Sequence, residues 1–343
     1  MATNKAAFLA LTGIAAVTLA FAAVRVDVDP NNPTGSHGLI VIDKIGRHVR
    51  FFDPSTYQEI SNLDVGVAPH DVAISPDHKF AYIPVYGDGV YGKNPHPGHT
   101  VAIIDLTTRQ LAGTIDVSPY QAPHGIQIDA AGKIYVTCDL SRKLLVIDPK
   151  ARTIEAAIDT EGTGHWIAVL PDASKAYVAA KNDRLFVAVI DLKKRSIVAR
   201  IPAPNGIQGI TASPDGKHVV ANDLTEPKLL IINTATDMAE VSLPLQDNTK
   251  ASYKPRFSPD GSKLLVCNLT EASVNVIDTA DPHGKQHVIS VGKDPMGFAF
   301  APDGKTVLVA NHGDGTVSVV DLTQNRVVST FTGGSGVESL AYY

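Results

Sequence analysis

Apolar and polar positions along this chain repeat one phrase six times. A short apolar run is followed by a turn of the Ser/Ala-Pro-Asp-Gly kind, a second apolar run, and a third apolar run ending near Asp. The first halves read DVAISPDHKFAYIPV (71–85), GIQIDAAGKIYVTCD (125–139), WIAVLPDASKAYVAA (166–180), GITASPDGKHVVAND (209–223), PRFSPDGSKLLVCN (255–268) and GFAFAPDGKTVLVAN (297–311). The third runs read VAIIDL, LLVIDP, VAVIDL, LLIINT, VNVIDT and VSVVDL. Alternating apolar residues between Pro-Asp or Asp-Gly turns predict strands, not helices. A period of about 40 residues with several short strands per unit predicts a β-propeller.

A seventh copy is split between the two ends. The chain stops at ESLAYY (338–343), which has the form of a first strand. Residues 38–66, GLIVIDKIGRHVRFFDPSTYQEISNLDVG, supply a second, third and fourth strand with no first. Joined, they make one blade from both ends, so neither end of the array is an open interface. The predicted fold is all-β: a single seven-bladed propeller over residues 38–343.

The phrases AYIPV, IYVTCD, AYVAAKN and VLVANHG, followed by VxVID, resemble the YVTN family of seven-bladed propeller repeats. The similarity covers nearly everything from Gly38 to Tyr343. It implies the fold and leaves function open, because related propellers include surface-layer proteins, lactonase-like enzymes and haem d1-type domains. WD40 repeats match less well, since their Gly-His and Trp-Asp marks are absent.

The segment before the ring changes the cellular setting. Lys5 precedes an uncharged run from Ala6 to Ala22, and Ala20-Phe21-Ala22 is a small-x-small cleavage pattern. Residues 1–22 are therefore expected to be a signal peptide, with a mature start near Ala23 and a linker over 23–37. The apolar run is also long enough to stay uncleaved as an anchor, which is the one route to a membrane association. Either way the ring is expected to be exported, periplasmic or secreted. No Cys lies near the cleavage pattern, which argues against a lipoprotein. The charge balance, 35 acidic against 30 basic residues, includes no basic stripe, so nucleic acid is not an expected partner. Cys138 and Cys267 occupy one place in the second strands of non-adjacent blades. They read as small core residues too far apart for a disulfide.

Candidate chemistry comes from aligning the residue before each first strand. The seven are His70, His124, His165, Gln208, Tyr253, Met296 and Val337. Three consecutive blades place histidine at one structural step, at the channel mouth. Three imidazoles converging from one side suit a divalent transition metal (zinc first, with copper, nickel or iron as alternatives). The layout is similar to that of peptidylglycine amidating lyase, where histidines from separate blades hold zinc, and to the streptogramin-inactivating lyases. The competing reading is that these histidines cap their own blades by hydrogen bonding to loop backbone.

Further polar residues share that face. Glu338, one step past Val337, could complete a coordination sphere or act as a general base, or could be a solvated loop carboxylate. Tyr253 stands in histidine register. Lys254 and Arg256 follow it and could hold an anionic group, unless Arg256 pairs with an acid of the next blade. His312 and Asp314 lie in a second-to-third-strand loop, with Asp139, Lys181, Asn222 and Asn268 at equivalent loop starts that read mostly as turn formers. The insertion YGDGVYGKNPHPGHT (86–100) reads as a flap over the mouth, carrying His96 and His99 as further ligands, or as a partner-facing loop. No phosphate loop, Cys-x-x-Cys, haem attachment motif or Gly-x-Ser-x-Gly elbow appears.

Together these features predict a metal-dependent lyase or hydrolase for a small-molecule substrate. His70, His124 and His165 would hold the metal, and Glu338, Tyr253 or His312 would move protons. The alternatives are a non-catalytic periplasmic scaffold (presenting its loop face to a protein partner, or handling a metal or tetrapyrrole) and a lactonase-like enzyme.

Overall fold

The computed structural model describes residues 38–90, 93–181 and 183–343. The signal peptide and linker expected over 1–37 lie outside the described residues. Among those described, every regular element is a strand, and no helix is long and apolar enough to cross a membrane.

Twenty-eight strands form seven four-stranded antiparallel sheets, ordered from the channel outward as the repeat requires. The closing blade pairs Val337–Tyr342 with Leu39–Asp43, in the register Leu39↔Tyr342, Ile40↔Ala341 and Val41↔Leu340. Gly38 and Tyr343 exchange both backbone hydrogen bonds at 3.0 Å. Asp43 ties the two chain ends further. It accepts from the backbone of Gly46, Ser335 and Gly336 and from Arg50 Nε, all at 2.9–3.0 Å. Burial alone would raise its pKa, but these bonds outweigh burial and hold it below the usual carboxylate range.

The buried apolar residues fall into seven clusters, and each is drawn from two neighbouring blades. Leu39 and Val41 pack against one neighbour, while Ile40 and Ile42 pack against the other. A second or third strand is thus buried on both faces and reads as a continuous apolar run. The alternation expected for every strand holds only at the rim: Ser196–Pro202 alternates in burial, whereas Leu39–Asp43 is buried throughout. Cys138 and Cys267 are buried free thiols in two such clusters.

The terminal Asp of the third strand has a local cause. Asp105 Oδ1 accepts from Thr107 N and Thr108 N at 2.9 and 2.8 Å, and Asp148 and Asp321 repeat the arrangement two and three residues on. These side chains replace backbone partners as the chain turns into the rim strand.

Candidate metal centre

Two sets of positions build the channel mouth. The first is the step just before the regular run of each inner strand. Ladder register fixes it, because Ile126, Ile167, Ile210, Pro255, Phe298 and Leu340 face equivalent residues of their second strands. Two residues earlier stand His124, His165, Gln208, Tyr253, Met296 and, in the closing blade, Glu338. Val337 therefore does not hold the seventh place. It pairs with Asp43 across a register shift, and Glu338 stands in histidine register instead. His70 completes the ring, its backbone N bonding to Pro84 O at 3.1 Å.

One residue further on, Gly125, Gly209 and Gly297 let neighbouring blades close tightly. A Cβ at these positions would lie 2.9 Å from His165 O, 2.6 Å from Tyr253 O and 2.8 Å from Glu338 O. Those carbonyls belong to the mouth ring itself, so the glycines set how tightly its side chains converge.

The second set follows the second strands. Lys44, Asp139, Lys181 and His312 come directly after Leu39–Asp43, Ile134–Cys138, Lys175–Ala180 and Thr306–Asn311. Asn222 lies within its strand and Asn268 ends its own, so neither starts a loop as expected.

The three histidines form a buried row. His70 and His124 ring centroids are 3.8 Å apart, and His124 and His165 are 3.9 Å apart. Their exposures are 3%, 1% and 3%. His124 Nδ1 lies 3.2 Å from the His165 carbonyl, which leaves its Nε2 as the potential ligand. His165 Nδ1 is 3.8 Å from Asp139 Oδ2, and its Nε2 meets the Gln208 amide at 3.2 Å. Tyr86 OH donates to Asp139 Oδ2 at 3.3 Å. His124, Asp139 and His165 each offer one donor atom within 4.8 Å of the others, a His/Asp/His group that could hold a metal ion.

His70 faces a different set of partners. Lys44 Nζ sits 3.0 Å from its Nε2, and Glu338 Oε1 is 3.6 Å from the same nitrogen. Glu338 Oε2 takes Lys44 Nζ at 3.4 Å and lies 3.4 Å from His312 Nδ1. Tyr253 bonds the Gln208 side chain; burial, then the Glu338 charge, raises its hydroxyl pKa. The proposed proton carriers Glu338, His312 and Tyr253 are thus brought to the same mouth as the histidines. Asp314 is not: it caps the Lys293 and Thr316 backbone.

The insertion is built as a ladder. Strands Phe80–Val90 and Lys93–Asp105 run on as a paired hairpin through the segment read from sequence as a flap or partner-facing loop. Its root supplies Tyr86, whose ring lies 5.6 and 5.5 Å from those of His70 and His124. His96 is exposed beside Asp88, and His99 Nδ1 faces the Tyr120 carbonyl at 3.0 Å, so neither joins the histidine row.

Electrostatics follow from burial. The three histidines are held well below the usual imidazole range by burial first, then by neighbouring His and Lys charges. Asp139 is pushed well above the usual carboxylate range by burial, against the pull of Tyr86 and Lys181. The sign for metal-free stability follows directly. Below about pH 6.5 the unfolded chain protonates each histidine and the folded chain does not, so acid costs about 1.4 kcal/mol per pH unit per histidine. Asp139 works oppositely: folding retains a proton that the unfolded chain releases above about pH 4, so its contribution falls as pH rises. Three protons against one, with burial lowering His218 in the same sense, leave stability falling as the pH drops from about 6 to 5. Urea unfolding of metal-free protein should show stability falling as the pH drops, and the triple His→Asn variant at 70, 124 and 165 should lose that fall, leaving the opposite trend set by Asp139. Equal slopes in the two proteins would refute the neutral-histidine assignment.

No family model matches the chain, so the likeness to YVTN repeats rests on the phrases quoted above. Antigen Lp49 of Leptospira interrogans serogroup Icterohaemorrhagiae serovar copenhageni (strain Fiocruz L1-130) is 23% identical over 200 residues, 54% of this chain. That match spans 43% of the antigen's own length. Among solved structures, hydrazine synthase of Kuenenia stuttgartiensis superposes with a TM-score of 0.67 at 20% identity, covering 80% of this chain and 89% of that one. At that identity the likeness is one of fold alone, and the fold is a seven-bladed propeller.

Proposed function

We propose that this is an exported propeller that binds one divalent transition metal, zinc foremost, and uses it in lyase or hydrolase chemistry on a small organic molecule. The observation that carries the reading is the convergence of His124, Asp139 and His165 donor atoms within 4.8 Å of one another. Zinc bonds of about 2.0–2.2 Å to nitrogen and oxygen place tetrahedral donors about 3.4 Å apart, so the 3.8 Å gap between His165 Nδ1 and Asp139 Oδ2 needs only a small closure.

The surrounding residues have defined tasks. The His165 carbonyl fixes the His124 tautomer. Rotation of the Gln208 amide presents its oxygen to His165 Nε2–H and leaves the Nδ1 lone pair for the metal. Tyr86 orients Asp139, which binds as the carboxylate and so releases its proton on metal uptake. Two His and one carboxylate leave a fourth position, at which a bound ion supplies Lewis acidity or an acidified water. Glu338, flanked by His70, His312 and Lys44, is the proton carrier, and Tyr253 is a hydrogen-bond donor. His70 stands as an added ligand or as the link between Glu338 and His124.

A second reading has an observation of its own. Lys44, Lys181 and Lys254 impose a positive field on the histidines, and that field also opposes an added cation. It favours a non-catalytic binding propeller. Turnover separates the two readings. Zinc-loaded protein assayed on a panel of small esters and lactones is expected to show hydrolysis that a chelator abolishes and zinc restores. Metal-loaded protein inert across the panel would leave the binding reading, and turnover indifferent to chelation would refute the metal-dependent step.

A further inference from the structure

The channel below the histidine row holds a cavity of about 490 Å³, within the range of small-molecule sites. Arg256 stands in its wall, on the inner strand Lys254–Phe257. Ladder register shows what surrounds it. Arg256 pairs with Leu265, and the residues at the same level on the other inner strands are Ala73, Gln127, Ala168, Thr211, Ala299 and Ala341. One blade carries a guanidinium where five others carry only Ala or Thr. The acid that could have neutralised it is missing: among the described residues Arg256 makes no ion pair or hydrogen bond, burial lowers its pKa, and the field of Asp71 opposes that only in part.

Asp71 is already engaged. It accepts from Ser339 Oγ at 2.8 Å and from Ile126 N at 3.5 Å, and lies 4.0 Å from Lys254 Nζ. Lys254 in turn sits 3.5 Å above the Trp166 ring. Lys254 and Arg256 against one Asp71 leave the cavity one positive charge in excess. Gln127 does not compensate, because its Oε1 is taken by Val169 N at 2.7 Å. The remaining wall includes Ile128, Phe300 and Tyr342, which offer apolar surface.

We propose that this channel cavity is a binding site for a small organic carboxylate. Its carboxylate would sit on the planar fork of Arg256, which matches two oxygens at once, and its apolar body would lie along Ile128, Phe300 and Tyr342. The site is independent of a metal at His124, Asp139 and His165. Trp166 stands between the two, its ring 5.0 Å from that of His124 and its side chain lining the cavity.

Trp166 is the sole tryptophan of the chain, so its fluorescence reads this cavity. The full chain, kept in chelator, would be titrated with hexanoate, hexanamide and sulfate. Hexanoate is expected to give a saturable change, hexanamide none, and sulfate binding at least about tenfold weaker. Arg256→Met is expected to weaken hexanoate about tenfold or more with an unchanged melting temperature. Should that variant fail to fold, Thr211→Phe fills the same level from another blade and is expected to abolish binding. Equal response to hexanoate and hexanamide, full binding by Arg256→Met, or full binding by Thr211→Phe would overturn the proposal. Sulfate binding as tightly as hexanoate would overturn it in favour of an inorganic-anion site.

Discussion

Removal of residues 338–343 is expected to abolish cooperative unfolding. The deleted segment is the inner strand of the closing blade, paired along its length with Leu39–Asp43. Leu340 and Tyr343 are buried in the two clusters on either side of that blade, so both neighbouring interfaces lose their packing. Deleting a large core side chain costs about 2–5 kcal/mol, and two of them approach the whole stability of a domain, about 5–15 kcal/mol. The loss also leaves the Leu39–Asp43 edge open to pairing with other chains. Circular dichroism during heating should show a broad, sloping loss of signal, and light scattering should rise. A truncated protein that melts like the full chain would contradict closure by the two ends.

The second large effect concerns the ligands. His124→Ala, His165→Ala and Asp139→Ala are each expected to lower metal affinity beyond the about 10–100-fold typical of outer-shell partners. Tyr86→Phe and Gln208→Ala, which orient ligands without holding the ion, should fall inside that range. The ring should stay folded in all five, because the mouth residues lie outside the seven inter-blade clusters. Zinc competition with a chromophoric chelator gives the affinities. Full retention of affinity in Asp139→Ala and His124→Ala would remove the metal reading.

How much of this was legible from sequence depends on which physical signal carried it. The blades were readable because Asp105, Asp148 and Asp321 end their strands for a local reason, two backbone N–H groups to be satisfied. The ring closure was readable because a first strand was missing at one end and present at the other. The gathering of His70, His124 and His165 followed from repeat register. Glu338 was set one step out because its blade has Ser339 where three others have glycine, so the His-Gly or Gln-Gly landmark was absent. Asp139 was seen only as a turn former. Its neighbours look like a strand end, and its closeness to His165 is created by the meeting of two blades at the axis. Lys44 was not seen at all: it reaches Glu338 across 294 positions of sequence. Arg256 was placed correctly in the chain, but its lack of an acid partner is a property of the space left by Ala73, Ala299 and Ala341.

The most direct measurement is anomalous scattering from crystals of the full chain grown at neutral pH and soaked in zinc. The expected result is a single strong peak at the channel mouth within about 2.0–2.2 Å of one atom each from His124, Asp139 and His165. A peak bound only by surface carboxylates, or a mouth with no peak while His70, His124 and His165 keep their 3.8–3.9 Å ring spacing, would contradict it.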